Sequence, residues 1–229
     1  MKIAIMQPYF FPYLGYFQLI NSVDKFVILD NVQYIDSGWI NRNQLESNGR
    51  KFFFTIPVRS SERKKMIKDV KVCKSELSHF TKKFKKTLTS NFSKSPNYVS
   101  VFNEIDSLLS NNKSDSILEI AEPSIIQTCQ RLGITTPIVR SSSLTLPFGA
   151  NRQDRVIDIV KELNCTHYLN PIGGDSLYDT DYFTSRGVKL DFFKPELPIY
   201  KRGDNQFVSG LSCIDYMMWQ QRVGKLNYD

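Results

Sequence analysis

Apolar and polar positions along the chain fall into short blocks that alternate between strand and helix periods. Ile3 to Met6 reads as a strand over 2–6, and the spacing predicts a helix over 14–22 and a second strand over 25–29. A polar loop is expected to about residue 50, followed by an extended stretch over 51–58 rich in Phe and β-branched residues. Leu77, Phe80, Phe84 and Leu88 then share one helical stripe, with Lys82, Lys83, Lys85 and Lys86 away from it. Helical spacing returns over 99–110 and 115–132, where Pro123 either kinks a helix or starts a new one. Pro137 to Arg140 and 166–169 read as strands around a helix capped by Asn151 or Asp154, and 178–186, 188–193 and 211–223 read as helix, strand and helix. The alternation predicts an α/β fold: a mostly parallel, Rossmann-like sheet with helices on both faces, in a single domain over 1–229. A basic, mainly helical insertion is expected at about 60–132.

Polar side chains gather where these strands end, which is where open α/β sheets bind ligands. After the first strand come Gln7, Tyr13, Gly15 and Tyr16, and after the second Asp30, Asn31, Gln33, Tyr34, Trp39, Asn41, Arg42 and Asn43. Arg42 suits a diphosphate or carboxylate because its planar fork donates two parallel hydrogen bonds, and Asn41 and Asn43 suit sugar hydroxyls or an amide. Asn170, Gly173 and Gly174 follow a later strand and offer backbone N–H groups to an anion. If a general base acts here, Asp30 by position and His167 by intrinsic pKa are the catalytic candidates. The competing reading is structural: a tyrosine-rich packing turn, and Asx-rich loops that satisfy their own backbone.

Charge adds a partner to this picture. The net +7 is concentrated in residues 50–94, where fourteen Lys and Arg face three acidic residues, so the remainder is net negative. An anionic partner is expected there, with a solvated lysine-rich face as the alternative, and Lys82, Lys83, Lys85 and Lys86 are the docking candidates. Nucleic acid is not the expected partner, because no recognised nucleic-acid motif accompanies the patch. The four cysteines are scattered singly and there are two histidines, so neither a disulfide framework nor a metal site is expected. Cys73, between Lys71 and Lys74, is the one thiol whose neighbours would depress its pKa. No apolar run is long enough to span a membrane and no leader precedes the first strand, so a cytoplasmic location is expected.

Several blocks together resemble the WbqC-like family: Met6 to Tyr16, Asp30 to Tyr34, Gly38 to Asn43, Tyr168 to Gly174 and Gly210 to Asp215. The resemblance implies a role in bacterial gene clusters for O-antigen and other surface polysaccharides, among enzymes that build amino sugars. A second likeness is to the nucleotidylyl-transferase superfamily, whose opening turn carries two histidines that hold nucleotide phosphates. Tyr13 and Tyr16 stand at those positions, and a phenol brings no positive charge to a phosphate. The leading expectation is therefore an N-acyltransferase or aminoacyltransferase. It would move its group from an acyl-carrier thioester, on an acidic acyl carrier protein, to the amine of a nucleotide-linked amino sugar. The alternatives are a nucleotidylyl-transferase-like or adenylate-forming enzyme, and a non-catalytic module that docks an anionic partner.

Overall fold

The computed structural model describes residues 1–145, 151–204 and 206–220. In chain order its elements are β1 (Lys2–Met6), α1 (Leu14–Asn21), β2 (Lys25–Ile28), β3 (Arg42–Ser47), β4 (Arg50–Thr55), α2 (Lys74–Phe92), α3 (Tyr98–Ser110), α4 (Leu118–Arg131), β5 (Ile138–Arg140), α5 (Arg152–Glu162), β6 (His167–Pro171), α6 (Thr180–Ser185), β7 (Lys189–Phe193) and α7 (Cys213–Trp219). The chain divides into two compact units, Met1–Gln7, Gly15–Asn31 and Ile134–Glu196 in the first, and Pro8–Leu14, Val32–Gly133 and Leu197–Asp229 in the second.

The first unit is the α/β sheet that the alternation predicts. Five strands pair in the order β5-β2-β1-β6-β7, and every pairing is parallel. Such strands are apolar on both faces because helices cover both. On one face Ile3, Ile5 and Val27 pack with Val156, Ile157, Ile159 and Val160 of α5 and with Phe183 of α6. On the other, Tyr16 of α1 lies edge-on to Phe26, with ring centroids 5.3 Å apart. The helix α5 starts where Asn151 accepts a 2.9 Å hydrogen bond from the Asp154 N–H, satisfying an otherwise orphaned donor.

The second unit is mainly helical but opens with a hairpin, β3 paired antiparallel to β4. The expected loop up to residue 50 is thus corrected: Arg42–Ser47 is a strand. Its turn is Asn48-Gly49, both at positive φ (51° and 77°), the left-handed pair that a two-residue hairpin loop demands. Buried Phe84, Leu88 and Phe92 of α2 and Val101, Ile105 and Leu109 of α3 form the apolar stripes of this unit. The helix α4 runs through Pro123 without ending. Proline there cannot donate to the Glu119 carbonyl, and the Asn112 side chain donates to it instead at 3.0 Å.

Beyond α4, Arg202 and Asp215 are buried and form a two-pronged ion pair, with Arg202 Nη2 to Asp215 Oδ2 at 2.7 Å. Arg202 Nη1 also reaches Glu46 of β3 at 2.7 Å, and the Tyr200 hydroxyl donates to Asp215 at 2.8 Å. Asp215, in the first turn of α7, is thus the anchor of a buried ion network. The predicted C-terminal helix is seen as Cys213–Trp219, and residues 221–223 of that expectation lie outside the described residues.

Candidate functional site

The turn after β1 holds its shape at a cost. Phe11 is buried and left-handed (φ 44°), a conformation that strains any residue with a Cβ. Three side chains from distant parts of the second unit hold its peptide groups. Its N–H donates to Ser124 Oγ at 3.0 Å, and its carbonyl accepts from Ser212 Oγ at 2.8 Å and from Asn43 Nδ2. Asn43 Oδ1 in turn accepts from the Gln44 N–H at 2.7 Å and the Tyr9 hydroxyl at 3.2 Å. The expectation that Asn43 meets a ligand is corrected: it is wholly buried, and both ends of its amide hold the protein together.

Arg42, next to Asn43, faces a cavity instead. Its Nε donates to the Gly38 carbonyl at 2.9 Å and its Nη2 to the Ser37 carbonyl, while the guanidinium lies 4.6 Å over the Phe53 ring and 5.8 Å from the Trp39 ring. Held on both sides, it leaves Nη1 without a protein acceptor among the described residues. Trp39 and Phe53 are each 47% exposed, and with Tyr9 they form a row whose centroids step by 5.7 and 5.9 Å. The cavity beside Arg42 encloses about 330 Å³ and is lined by Tyr34, Asp36, Asn41, Arg42, Arg63 and Glu76, among others. Asn41 uses its amide nitrogen on the Ile56 carbonyl at 2.7 Å, and Arg63 pairs with Asp36 at 3.0 Å.

Tyr34, which follows Gln33 in the polar stretch after the second strand, also lines this cavity. It is only 4% exposed, and its hydroxyl, which is not sealed inside the protein, makes no hydrogen bond among the described residues. Burial, then the Asp36 carboxylate, push its phenol up to about 12 against the pull of Arg63 and Arg42. It stays protonated across the physiological range and is a fixed donor. Gln33 and Tyr13 do not line this cavity. Gln33 is exposed and pairs its backbone with Met66, and Tyr13 is half-buried, its backbone bridged to Ser212 and its phenol raised by burial.

The carboxyl edge of the first unit's sheet forms a separate candidate. Its strand order changes direction at β1 and β6, the position where parallel sheets of this order bind ligands. Gln7 stands there half-buried, with no side-chain hydrogen bond among the described residues. Tyr16, expected at a ligand, is corrected to a supporting role: it is buried and its hydroxyl donates to the Gln7 carbonyl at 2.9 Å. Gly15 is buried within α1. The Asn170 amide accepts from the Tyr168 hydroxyl at 2.7 Å and donates to the Pro171 carbonyl at 2.9 Å. A Cβ on Gly174 would meet Asn170 Nδ2 at 2.4 Å, so this glycine makes room for a side chain, whereas the space above Gly173 is open.

Neither expected base is placed for proton transfer. Asp30 is fully buried, and its oxygens accept from Ser141 Oγ (2.9 Å), the Ser142 N–H (2.8 Å) and Ser142 Oγ (2.5 Å). Asn31 meets the same Ser141 hydroxyl at 2.7 Å. These contacts tie the end of β2 to the segment after β5. His167 begins β6, paired in register with Lys2, and its Nε2 is 2.7 Å from Asp191. Four residues of strand, about 13 Å, separate it from the carboxyl edge where Asn170 and Gly174 lie.

A model of the WbqC-like protein family matches residues 7–225. The chain belongs to the WbqC-like protein family. It is also similar to the uncharacterized protein Rv1507c of Mycobacterium tuberculosis (strain ATCC 25618 / H37Rv), with 23% identity over 94% of this chain and 92% of that protein. No solved structure matches the chain significantly.

In this WbqC-like chain the four docking lysines do not share one face. Lys82, Lys85 and Lys86 line a groove of about 1000 Å³ between α2 and α3, which Lys74 and Lys113 also line. Lys85 is held there by Asp106 at 2.7 Å, while Lys83 lines a different cavity. Cys73, at the start of α2, is half-buried, and the Ser75 hydroxyl, the Glu76 N–H and Arg59 hold its thiol below the usual range. Burial pushes Cys129 and Cys213 up to about 12. Among the described residues no helix is long and apolar enough to cross a membrane, and no group of three His, Cys, Asp or Glu side chains is arranged to hold a metal.

Proposed function

We propose that this WbqC-like protein is a cytoplasmic enzyme of surface-polysaccharide synthesis that binds a nucleotide-linked amino sugar and transfers an acyl or aminoacyl group to its amine. The observation that carries this reading is the Arg42 cavity with its unpartnered Tyr34 hydroxyl and flanking aromatic row. Two guanidinium groups, Arg42 and Arg63, and two carboxylates, Asp36 and Glu76, line it together. Such a balance suits a ligand that bears both phosphate and amine, and it disfavours a triphosphate, whose charge would face the carboxylates uncompensated. The exposed Trp39 and Phe53 faces suit a base or sugar ring, and Tyr34 supplies a donor to a hydroxyl or phosphate oxygen.

Calorimetry with a panel of amino-sugar nucleotides and their N-acetylated counterparts tests the binding half. The free amines should bind at least tenfold more tightly, about 1.4 kcal/mol. Mixing the bound acceptors with carrier-linked acyl donors should then yield an amide by mass spectrometry. Equal affinity for amine and N-acetyl forms, or no amide across the panel, overturns the reading.

A second reading, nucleotide-handling without acyl transfer, is favoured by one feature: the β5-β2-β1-β6-β7 order with Gln7 at its switch point. It expects ATP or CTP with Mg²⁺ to bind, and calorimetry that shows no heat for either removes it.

A further inference from the structure

A cavity of about 590 Å³ runs between β4 and α2, walled by Phe52, Phe53, Phe80 and Phe84 and edged by His79 and Lys83. One wall is a free strand edge. The Ile56 N–H donates to the Asn41 carbonyl at 2.8 Å, which makes the Arg42/Thr55 pair one without mutual hydrogen bonds. The pattern alternates along the hairpin, so the N–H and C=O groups of Phe53 and Thr55 point away from β3 and into this cavity. No backbone partner meets them among the described residues. An apolar groove with open main-chain donors and acceptors on one side fits an extended chain that carries its own amides.

The groove also has a defined end. Thr55, Pro57 and Glu76 line both it and the Arg42 cavity. Glu76 is exposed and its carboxylate makes no side-chain hydrogen bond or ion pair among the described residues. Arg42, Asp36, Arg63 and Tyr34 face it from the cavity side, and His79 and Lys83 from the groove side.

Building on the function proposed above, we infer that the groove holds the pantetheine arm of an acyl thioester along the β4 edge, and that Glu76 accepts the proton released when the amine attacks. The arm matches the groove in chemistry: an extended chain with two amides, an apolar middle and a terminal thioester. With the amino group in the Arg42 cavity, its nitrogen attacks the thioester carbonyl, the C–N bond forms and the C–S bond breaks. The proton leaves nitrogen for the Glu76 carboxylate and passes to the departing thiolate, so acyl thioester and amine become amide and thiol.

The test separates binding from transfer. Pantetheine titrated into the full-length protein should shift the NMR signals of Phe53, Thr55, Phe80 and Lys83, while octanoate, which lacks amides, should bind at least tenfold more weakly. T87W fills the groove from α2 and T55P removes an edge N–H that no protein group uses. Each should weaken pantetheine at least tenfold with the melting temperature unchanged. E76Q should leave pantetheine affinity intact and lower transfer by about 10² or more. Tighter binding of octanoate or of an acidic hexapeptide than of pantetheine overturns the assignment of the arm, as does pantetheine binding indifferent to T87W and T55P. Transfer that survives E76Q overturns the base. Should transfer never be seen while pantetheine binds as described, the groove stands, and the Glu76 role falls together with the proposed function.

Discussion

Replacing Asn43 with alanine removes a strut on which the turn after β1 depends. The change deletes the donor to the Phe11 carbonyl and the acceptor for both the Gln44 N–H and the Tyr9 hydroxyl. The Phe11 carbonyl keeps its bond from Ser212 Oγ, so its loss is one hydrogen bond of about 1 kcal/mol. The Gln44 N–H, left without an acceptor beside a buried side chain, costs about 1–3 kcal/mol, and the half-buried Tyr9 hydroxyl recovers part of its loss from water. Adding a small cavity in a wholly buried position brings the expected loss to about 3–5 kcal/mol. That is a large part of the roughly 5–15 kcal/mol that holds a domain folded.

Urea titration read by tryptophan fluorescence measures this, because Trp39 packs on Tyr9, one of Asn43's partners. S212A serves as the control. It removes one bond from the Phe11 carbonyl and the hydroxyl that accepts from the Ile214 N–H, and it should lose about 1–2 kcal/mol. If N43A unfolds within 1 kcal/mol of the wild type, the left-handed Phe11 is not held by this side chain and the reasoning fails.

Three further outcomes are expected. Iodoacetamide should alkylate Cys73 first and at a pH below that of an ordinary thiol, because its thiolate accepts hydrogen bonds from Ser75 and the Glu76 N–H beside Arg59; peptide mapping that finds Cys129 or Cys213 modified first contradicts this. K82E combined with K86E should slow association with an acidic carrier protein at low salt by about tenfold and lose that effect at 0.5 M salt; unchanged association at low salt in stopped-flow measurements refutes the docking role. D30N should lower the melting temperature by several degrees while H167Q leaves turnover within twofold, and a selective loss of turnover in H167Q at unchanged stability would restore it as a catalytic group.

What could be read ahead of the structure follows from physics that composition carries. Strands buried on both faces need continuous apolar runs, so β1 and β2 stood out, and α5 stood out because Val156, Ile157, Ile159 and Val160 repeat at the helical period. The strand β3 was hidden because, apart from Leu45, it consists of Arg, Asn, Gln, Glu and Ser, and its polar side chains find buried partners that periodicity cannot show. The Asn48-Gly49 pair was the available signal, the strongest short-range mark of a hairpin. Site residues were harder for a related reason. Asn43, Tyr16 and Asp30 are the polar types that ligands attract, but each is matched by an internal donor or acceptor more than eight residues away in the chain. Tyr34 belongs to the same polar stretch as Gln33, but only the structure shows that it, and not Gln33, lines the Arg42 cavity.

Three of the five blocks that carry the resemblance are joined by the strained peptide of Phe11. Met6 to Tyr16 supplies it, Gly38 to Asn43 supplies the Asn43 amide and Gly210 to Asp215 supplies the Ser212 hydroxyl. In this chain these three blocks hold a strained backbone whether or not a ligand is bound. Yet the two demands are coupled through the strand period. Asn43 and Arg42 are neighbours on β3, and successive side chains on a strand point to opposite faces. With Asn43 locked inward on Phe11, Arg42 has to face outward, between Trp39 and Phe53 and beside Tyr34. A one-residue slip of β3 would release the turn and withdraw the guanidinium from the cavity together. The same contact that tolerates strain at Phe11 therefore sets the direction of Arg42, one of the two arginines of the proposed acceptor site.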